Sequence, residues 1–258
     1  MSRFAYESMV TELRKRVTIL ETMIDVLDME QTVREVEGYI RRKEPLHLIG
    51  VNSDKINMLR ENDRLKKIVN ECGIINADGA SVVLAGRYLG KPLPERVAGI
   101  DLMMRLVRVA AQEGYAIYLL GAEQTVVEAT ADVLAEKYRQ LKICGFRNGY
   151  FSQDEWDDIA AQISQSGAQI VFVGITSPLK EYLIEYLQGK GLNCVFMGVG
   201  GSFDVISGKV SRAPLWMRKC NLEWLFRVMQ EPRRLFKRYF IGNWKFIIAV
   251  YKEKRLTR

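Results

Sequence analysis

The chain is poor in the residue types on which several common chemistries depend. It has one histidine, His47, set inside the apolar run Leu46–Val51. A His-rich metal centre is excluded, a Ser-His-Asp triad would have to be built on that one imidazole, and a packed core position is the plainer assignment. The four cysteines, Cys72, Cys144, Cys194 and Cys220, lie far apart and form no C-x-x-C pair. Neither a zinc knuckle nor a dithiol redox motif is signalled, and reduced thiols of a cytosolic protein are expected. No run of eighteen apolar residues occurs, and the stretch from Met1 to Arg16 lacks the apolar core of a signal peptide, so neither secretion nor a membrane span is expected.

Nucleotide and metal motifs are missing too. The chain contains neither G-x-G-x-x-G nor a P-loop, and its eleven aspartates include no Asp-x-Asp pair of the kind that holds a divalent metal in many sugar transferases. No metal and no cofactor is expected. If a phosphate leaves during a reaction here, its charge must be met by Arg, Lys and backbone dipoles.

What is present is ample apolar material and an uneven charge. With 258 residues and 48% hydrophobic content, the chain can bury a full α/β core, with or without an appendage. Residues 209–258 carry 14 Lys+Arg against three acids, Glu223, Glu231 and Glu253, a local charge of +11; the remaining 24 basic and 28 acidic residues give −4. A basic module therefore follows a slightly acidic body.

Along the chain, residues 1–16 read as a polar extension, helical or frayed. Val17 to Asp28 suggests a short strand or hairpin leading into a helix over Met29–Arg42, and Leu46–Val51 reads as a strand ending in Asn52-Ser53-Asp54. Ile56 to Asn70 reads as one helix stopped by Gly73. The pattern then repeats: a strand at Ile74-Ile75, helices over Ser81 to Tyr88 and Ile100 to Glu113, a strand over Tyr115 to Leu120, a helix over Thr125 to Tyr138 and a strand over Leu141 to Cys144. A loop from Gly145 to Gln153 precedes a helix from Asp154 to Ser166. A strand over Gln169 to Val173 leads to Ser177, placed to cap a helix begun by Pro178, and Asn193 to Met197 is the last strand. Apolar strands alternating with helices predict a parallel sheet covered on both faces. Leu222 to Arg258 reads as two or three basic amphipathic helices interrupted at Pro232 and Gly242. The expected organisation is an extension (1–16), an α/β domain (17–208) and a basic amphipathic appendage (209–258).

Several polar or glycine loops follow predicted strands and so converge on one sheet edge, where open α/β sheets bind ligands. One is Gly198-Val199-Gly200-Gly201-Ser202, whose bare backbone can approach a phosphate, or can serve as a turn alone. Another opens the stretch Gly73 to Asp101. Its turn Asn76-Ala77-Asp78-Gly79 offers Asp78 as a candidate general base, although an Asp there is also an ordinary turn former. Further along, Lys91-Pro92-Leu93-Pro94-Glu95-Arg96 is a proline-stiffened loop, and Arg96 either holds a phosphate through its forked donors or pairs with a neighbouring acid. The tail admits bulk basic surface, nucleic-acid binding without a recognised module, or an interfacial membrane helix, and aromatics interleaved with Arg at helical spacing fit the last. A nucleotide-binding oxidoreductase and a non-catalytic basic adaptor for membrane or nucleic acid stand as alternatives.

Taken in order, Asn76-Ala77-Asp78-Gly79, Pro92-Leu93-Pro94-Glu95-Arg96-Val97-Ala98-Gly99 with Asp101, Tyr118-Leu119-Leu120-Gly121, Gly149-Tyr150-Phe151, Gly198-Val199-Gly200-Gly201-Ser202-Phe203-Asp204, Arg212-Ala213-Pro214 and Leu222-Glu223-Trp224-Leu225-Phe226-Arg227 with Glu231-Pro232 resemble the WecG/TagA/CpsF family of bacterial glycosyltransferases. The likeness runs from about Val17 to beyond Tyr239. It implies a metal-independent, inverting hexosyltransferase on a Rossmann-like fold. Such an enzyme moves an N-acetylmannosamine-type or related sugar from a UDP donor to a polyprenyl-diphosphate-linked sugar, in building teichoic acid, capsule or a similar polymer. It also implies a cytoplasmic protein, peripheral on the inner face of the cell membrane, with no nucleic-acid partner and with homo-oligomerisation left open.

Residue by residue, the resemblance places Asp78 on the family's base and Arg96 on its diphosphate contact. Asn52, Asn76, Lys180, Gly198, Gly200, Gly201, Asp204 and Arg212 are expected to line the substrate site. Arg218, Arg227, Arg233 and Arg234 are expected on the membrane-touching appendage that helps close it. Two departures stand out. Gly50-Val51 occupies the place where the family often has a Thr two residues before the pocket Asn, and Ser177-Pro178-Leu179-Lys180-Glu181 puts Lys180 where a Gln is usual. Both bear on which donor sugar is accepted.

Overall fold

The structure, a computed structural model, describes residues 14–230 and 232–256, without the side chains of 234–239. Most of the expected extension, residues 1–13, therefore lies outside the described residues, as do Glu231 and the side chain of Arg234.

The described chain opens with a hairpin, β1 (Arg16–Ile19) and β2 (Thr22–Asp25). Its two turn residues, Leu20 and Glu21, both take positive φ (48° and 61°), the twist a two-residue hairpin needs. Asp25, 1% exposed, fastens the hairpin to the core: its Oδ2 accepts from the Ile75 amide (2.7 Å) and its Oδ1 pairs with Arg14 and Arg16. The first long helix, α1 (Met29–Arg42), starts from a reciprocal cap between Asp28 and Gln31.

Six parallel strands form the central sheet: β3 (Leu46–Val51), β4 (Ile74–Ala77), β5 (Ala116–Gly121), β6 (Lys142–Arg147), β7 (Ile170–Gly174) and β8 (Val195–Gly198), in the order β4-β3-β8-β7-β5-β6. Successive strand residues point to opposite faces. Leu46, Leu48, Ile117, Leu119, Ile170 and Phe172 pack against α1, α5 (Gly99–Glu113) and α6 (Gln124–Lys137). On the other face, Ile49, Val51 and Ile75 pack against α2 (Ser53–Glu61), α3 (Asp63–Asn70) and α4 (Ala80–Leu89), while Leu120, Val171, Val173 and Phe196 meet α7 (Trp156–Ser166) and α8 (Leu179–Gly189). The result is the Rossmann-like arrangement that the strand–helix alternation predicts.

Four expectations need correction. The helix expected over Ile56 to Asn70 is two, because Asn62 adopts an extended conformation (φ −141°, ψ 99°) and its side chain caps α3 by accepting from the Leu65 amide (2.9 Å). The strand from Lys142 runs on to Arg147, and a 3₁₀ turn, Gln153–Glu155, precedes α7. Ser177 does not cap α8, since its hydroxyl donates to Glu181 (2.9 Å) and accepts from Lys55. Finally, Gly242 does not interrupt the tail. After α9 (Ser202–Ile206), α10 (Leu215–Lys219) and α11 (Glu223–Gln230), one helix, α12 (Pro232–Leu256), runs through it, held by core packing rather than by propensity. Its Phe246, Ala249 and Val250 are buried in the same cluster as Ile56, Leu59 and Val82, and Asn57 donates to the Gly242 carbonyl (2.8 Å).

Candidate active site

The carboxyl ends of β3 and β4 fix the central carboxylate. The Asp78 amide donates to the Val51 carbonyl (2.9 Å) and the Val97 amide to the Ala77 carbonyl (2.9 Å), so the turn is pinned on both sides. Gly50 makes room for the side chain, and Gly99 lies in ordinary contact with it. A Cβ at Gly50 would stand 3.0 Å from the Cβ and 3.4 Å from Oδ2 of Asp78, and one at Gly99 would stand 3.5 Å from Oδ2. The Gly99 amide, first in α5, donates to Asp78 Oδ1 (3.2 Å), aiming a helix N-terminus at the carboxylate. Burial in this wall nevertheless pushes the Asp78 carboxyl above the usual carboxylate range; Arg96, the Gly99 amide and Arg227 act in the opposite direction, and Glu223 adds to the rise. The side chain keeps 31% of its surface open to solvent. A carboxylate with a raised pKa and a partly open side chain suits proton abstraction.

Beside it lies an arginine cluster drawn from three distant parts of the chain. Arg96 Nε donates to the Asp78 carbonyl (2.7 Å), and its Nη2 donates to Glu223 Oε2 (3.0 Å) and lies 4.0 Å from Asp78 Oδ1. Glu223, 6% exposed, also faces Arg212 Nε at 3.8 Å and Arg227 Nη2 at 3.9 Å through Oε1. Arg212 Nη2 in turn donates to both oxygens of Asp101 (2.7 Å each). The structure thus brings Asp78, Arg96, Arg212 and Arg227 together. Glu223 belongs to this cluster although the motif that contains it gives it no role; its sequence signal is that it is one of only three acids among the 14 basic residues of 209–258. Arg218 buries its Nε without a hydrogen-bond partner, while Arg233 is exposed in the first turn of α12; neither joins the cluster.

The other expected residues fall into distinct surroundings. Asn52 caps α2, accepting from the Lys55 amide (2.9 Å), and packs closely under Gly79. Asn76 lies in β4 just before the Asp78 turn: it is 1% exposed, its Oδ1 accepts from Thr32 (3.2 Å), and its Nδ2 is buried without a partner. Lys180 is also buried and lies over Gly198, where a Cβ would meet its Cε at 2.6 Å. Its Nζ is 3.6 Å from Glu181 Oε1, the same oxygen that Lys55 Nζ reaches at 2.6 Å. Burial pushes the Lys55 ammonium down from its ordinary value against the pull of Glu181. For Glu181 burial acts upward, but Lys180, Lys55 and Ser177 together hold the carboxyl below its ordinary value. Two ammonium groups thus share one carboxylate beneath the strand ends.

Past β8, Gly200 takes φ +53° with nothing within 4 Å of its missing Cβ, so the backbone there is open to a ligand, and Gly201 lies beside Asp204, which is 4.0 Å from Lys209. Among the described residues, no group of three or more His, Cys, Asp or Glu is disposed to hold a metal ion.

Comparison with known proteins places nearly the whole chain in one family. The chain is 30% identical over 237 residues, 91% of each chain, to the N-acetylglucosaminyldiphosphoundecaprenol N-acetyl-beta-D-mannosaminyltransferase of Bacillus spizizenii. The family model for glycosyl transferases of the WecG/TagA/CpsF type matches residues 17–258, which takes in the Asp78 turn, the glycine loop after β8 and the whole of α12. With nearly its entire length matched, the chain belongs to the WecG/TagA/CpsF family of glycosyl transferases.

Proposed function

We propose that this hexosyltransferase moves an N-acetylmannosamine-type or related sugar from a UDP donor to a polyprenyl-diphosphate-linked sugar, with inversion and without a metal, during assembly of a cell-surface polysaccharide. The observation that carries the proposal is the raised-pKa carboxylate of Asp78 set against Arg96, Arg212 and Arg227 at the strand ends. The relative from Bacillus spizizenii supports the substrate classes, since its name specifies a diphosphoundecaprenol-linked acceptor and a mannosaminyl transfer.

In the mechanism, ionised Asp78 accepts the proton of the acceptor hydroxyl as that oxygen bonds to the donor's anomeric carbon from the face opposite UDP. The bond from that carbon to the diphosphate breaks, and UDP departs with the electron pair. The charge growing on UDP is met by Arg96 and the tail arginines, together with the amides of Gly198 to Gly201. Arg96 now donates to Glu223, so a diphosphate at this place shares or takes over that donor. Gly50, where the family often carries Thr, leaves the Asp78 side chain uncrowded, and Lys180 in place of Gln adds a buried positive charge near Gly198; both favour a donor with its own sugar preference.

The acceptor's lipid tail places the reaction at the inner leaflet of the cell membrane, where the basic residues of 209–258 hold the enzyme. Among the described residues no helix is long and apolar enough to cross a membrane, so the attachment proposed is interfacial. The test is UDP release over a set of UDP-sugars with a short-chain polyprenyl-diphosphate sugar as acceptor, in the presence of a chelator. Turnover with one UDP-sugar in chelator is expected. Activity that disappears in chelator overturns the metal-free mechanism, and no release with any UDP-sugar overturns the donor class.

A further inference from the structure

We infer that the catalytic core itself docks on an anionic phospholipid leaflet, through a face shared by α4 and α12, and that α4 carries the Asp78 turn down to that surface. The inference rests on the interfacial attachment proposed above and extends it from the tail to the core. Its first support is a continuous apolar crest. On α12, Ile241, Trp244, Ile247, Ile248 and Tyr251 are each 44–55% exposed at three- and four-residue intervals, while Phe246, Ala249 and Val250 on the opposite side are buried. On α4, which packs against α12, Leu84 (62%) and Tyr88 (50%) point outward one turn apart, over an inward face of Val82, Val83 and Leu89. The two helices join at this edge, where Lys254 of α12 lies 5.9 Å from the Tyr88 ring centre. Soluble surfaces rarely expose so much contiguous apolar area without a partner.

Charge selects the partner. On the flank of α12 away from α4, a groove of about 320 Å³ between α2 and α12 is lined by Arg60, Lys245 and Lys252, with Glu61 as its one acid. Lys245 pairs with Glu61 at 3.5 Å, both well exposed, whereas Arg60 and Lys252 form no ion pair among the described residues. Cations thus border an apolar crest, as in helices that lie in a headgroup layer with side chains in the acyl boundary. A second copy would set like charges against each other, and a nucleic acid would have to lie over the apolar crest.

The geometry has a consequence for the reaction. Helix α4 begins two residues after Asp78, and Leu84 lies four residues into it, about 6 Å along the axis at 1.5 Å per residue. With Leu84 and Tyr88 both in the interface, α4 lies along the surface, and the Asp78 turn at its start is held beside the headgroup layer, where a lipid-linked diphosphate already is.

Flotation of the full chain with phosphatidylcholine vesicles, with and without phosphatidylglycerol, tests this alongside two variants. Leu84→Glu with Tyr88→Glu is expected to lower the vesicle-bound fraction about tenfold, the scale of one or two apolar side chains withdrawn from the interface. It should also lower turnover of a long-chain acceptor embedded in vesicles, with turnover of a short-chain soluble acceptor unchanged. Arg60→Glu with Lys252→Glu, two exposed changes that leave the core alone, should abolish the preference for phosphatidylglycerol. Variants that float like the native chain overturn the inference while leaving tail attachment standing. A native chain that stays in solution with both vesicles overturns interfacial attachment itself, and this inference with it.

Discussion

Replacing Glu223 with Gln is the most revealing single perturbation of the arginine cluster, because it removes one negative charge while keeping volume. The native carboxylate, its side chain 8% exposed, accepts from Arg96 at 3.0 Å and faces Arg212 and Arg227 just under 4 Å away. A hydrogen bond to a charged group is worth roughly 1.5–3 kcal/mol. The arginine side chains are 22–43% exposed, so solvent screening trims the loss to about 1–2 kcal/mol. For a chain of this size that corresponds to a melting temperature lower by about 3–6 °C. The pH dependence of turnover is the sharper readout. Glu223 adds to the rise of the Asp78 pKa and Arg96 opposes it. Because the base must be ionised, Glu223→Gln moves the acid limb of the kcat profile to lower pH, and Arg96→Gln moves it to higher pH while reducing kcat. UDP release measured across pH for both variants checks the pair. Acid limbs that shift in the same direction, or not at all, refute the assignment of Asp78 as the titrating base coupled to these two neighbours.

Two further predictions concern how the fold supports the site. Phe246, 2% exposed, anchors α12 in the core, so Phe246→Ala should cost about 3–5 kcal/mol and lower the melting temperature by roughly 10 °C in a circular dichroism melt; a loss of less than about 2 °C would mean that α12 is not core-packed. Burial lowers the His47 pKa from 6.5 to about 4. Between those values the unfolded chain binds a proton that the folded chain refuses, so stability falls as pH drops through this window, by up to about 3 kcal/mol. Urea unfolding at several pH values should show that slope in the native chain and a flatter one in His47→Gln, whereas equal slopes would remove His47 as its source.

Local pattern carried most of the architecture. Met29–Arg42 and Leu46–Val51 are legible to the residue because a capping Asp, an apolar stripe and an unbroken apolar run agree with the packing they meet. Asn62 was not legible, since within a run rich in Leu, Lys and Arg nothing distinguishes a helix-breaking Asn from a helical one until its side chain is seen capping α3. Gly242 misled in the opposite direction: tertiary burial of Phe246 and Val250 carries the helix past a residue that propensity alone would make a stop. At the site, the short separation of Asn76 from Asp78 suggested a shared loop. The strand runs to Ala77, however, and that puts Asn76 inside β4. The role of Glu223 depends on Arg96, Arg212 and Arg227 meeting in space, which no local spacing encodes.

Asp78 is the residue on which the proposed mechanism turns. The direct measurement is single-variant turnover: Asp78→Asn, shown by circular dichroism to be folded, assayed for UDP release with the UDP-sugar and short-chain polyprenyl-diphosphate acceptor that the native chain turns over. Asn keeps the acceptor for the Gly99 amide but has no carboxylate to take a proton, so a loss of at least about 100-fold in kcat is predicted. Near-native turnover by the folded variant would show that Asp78 is not the base.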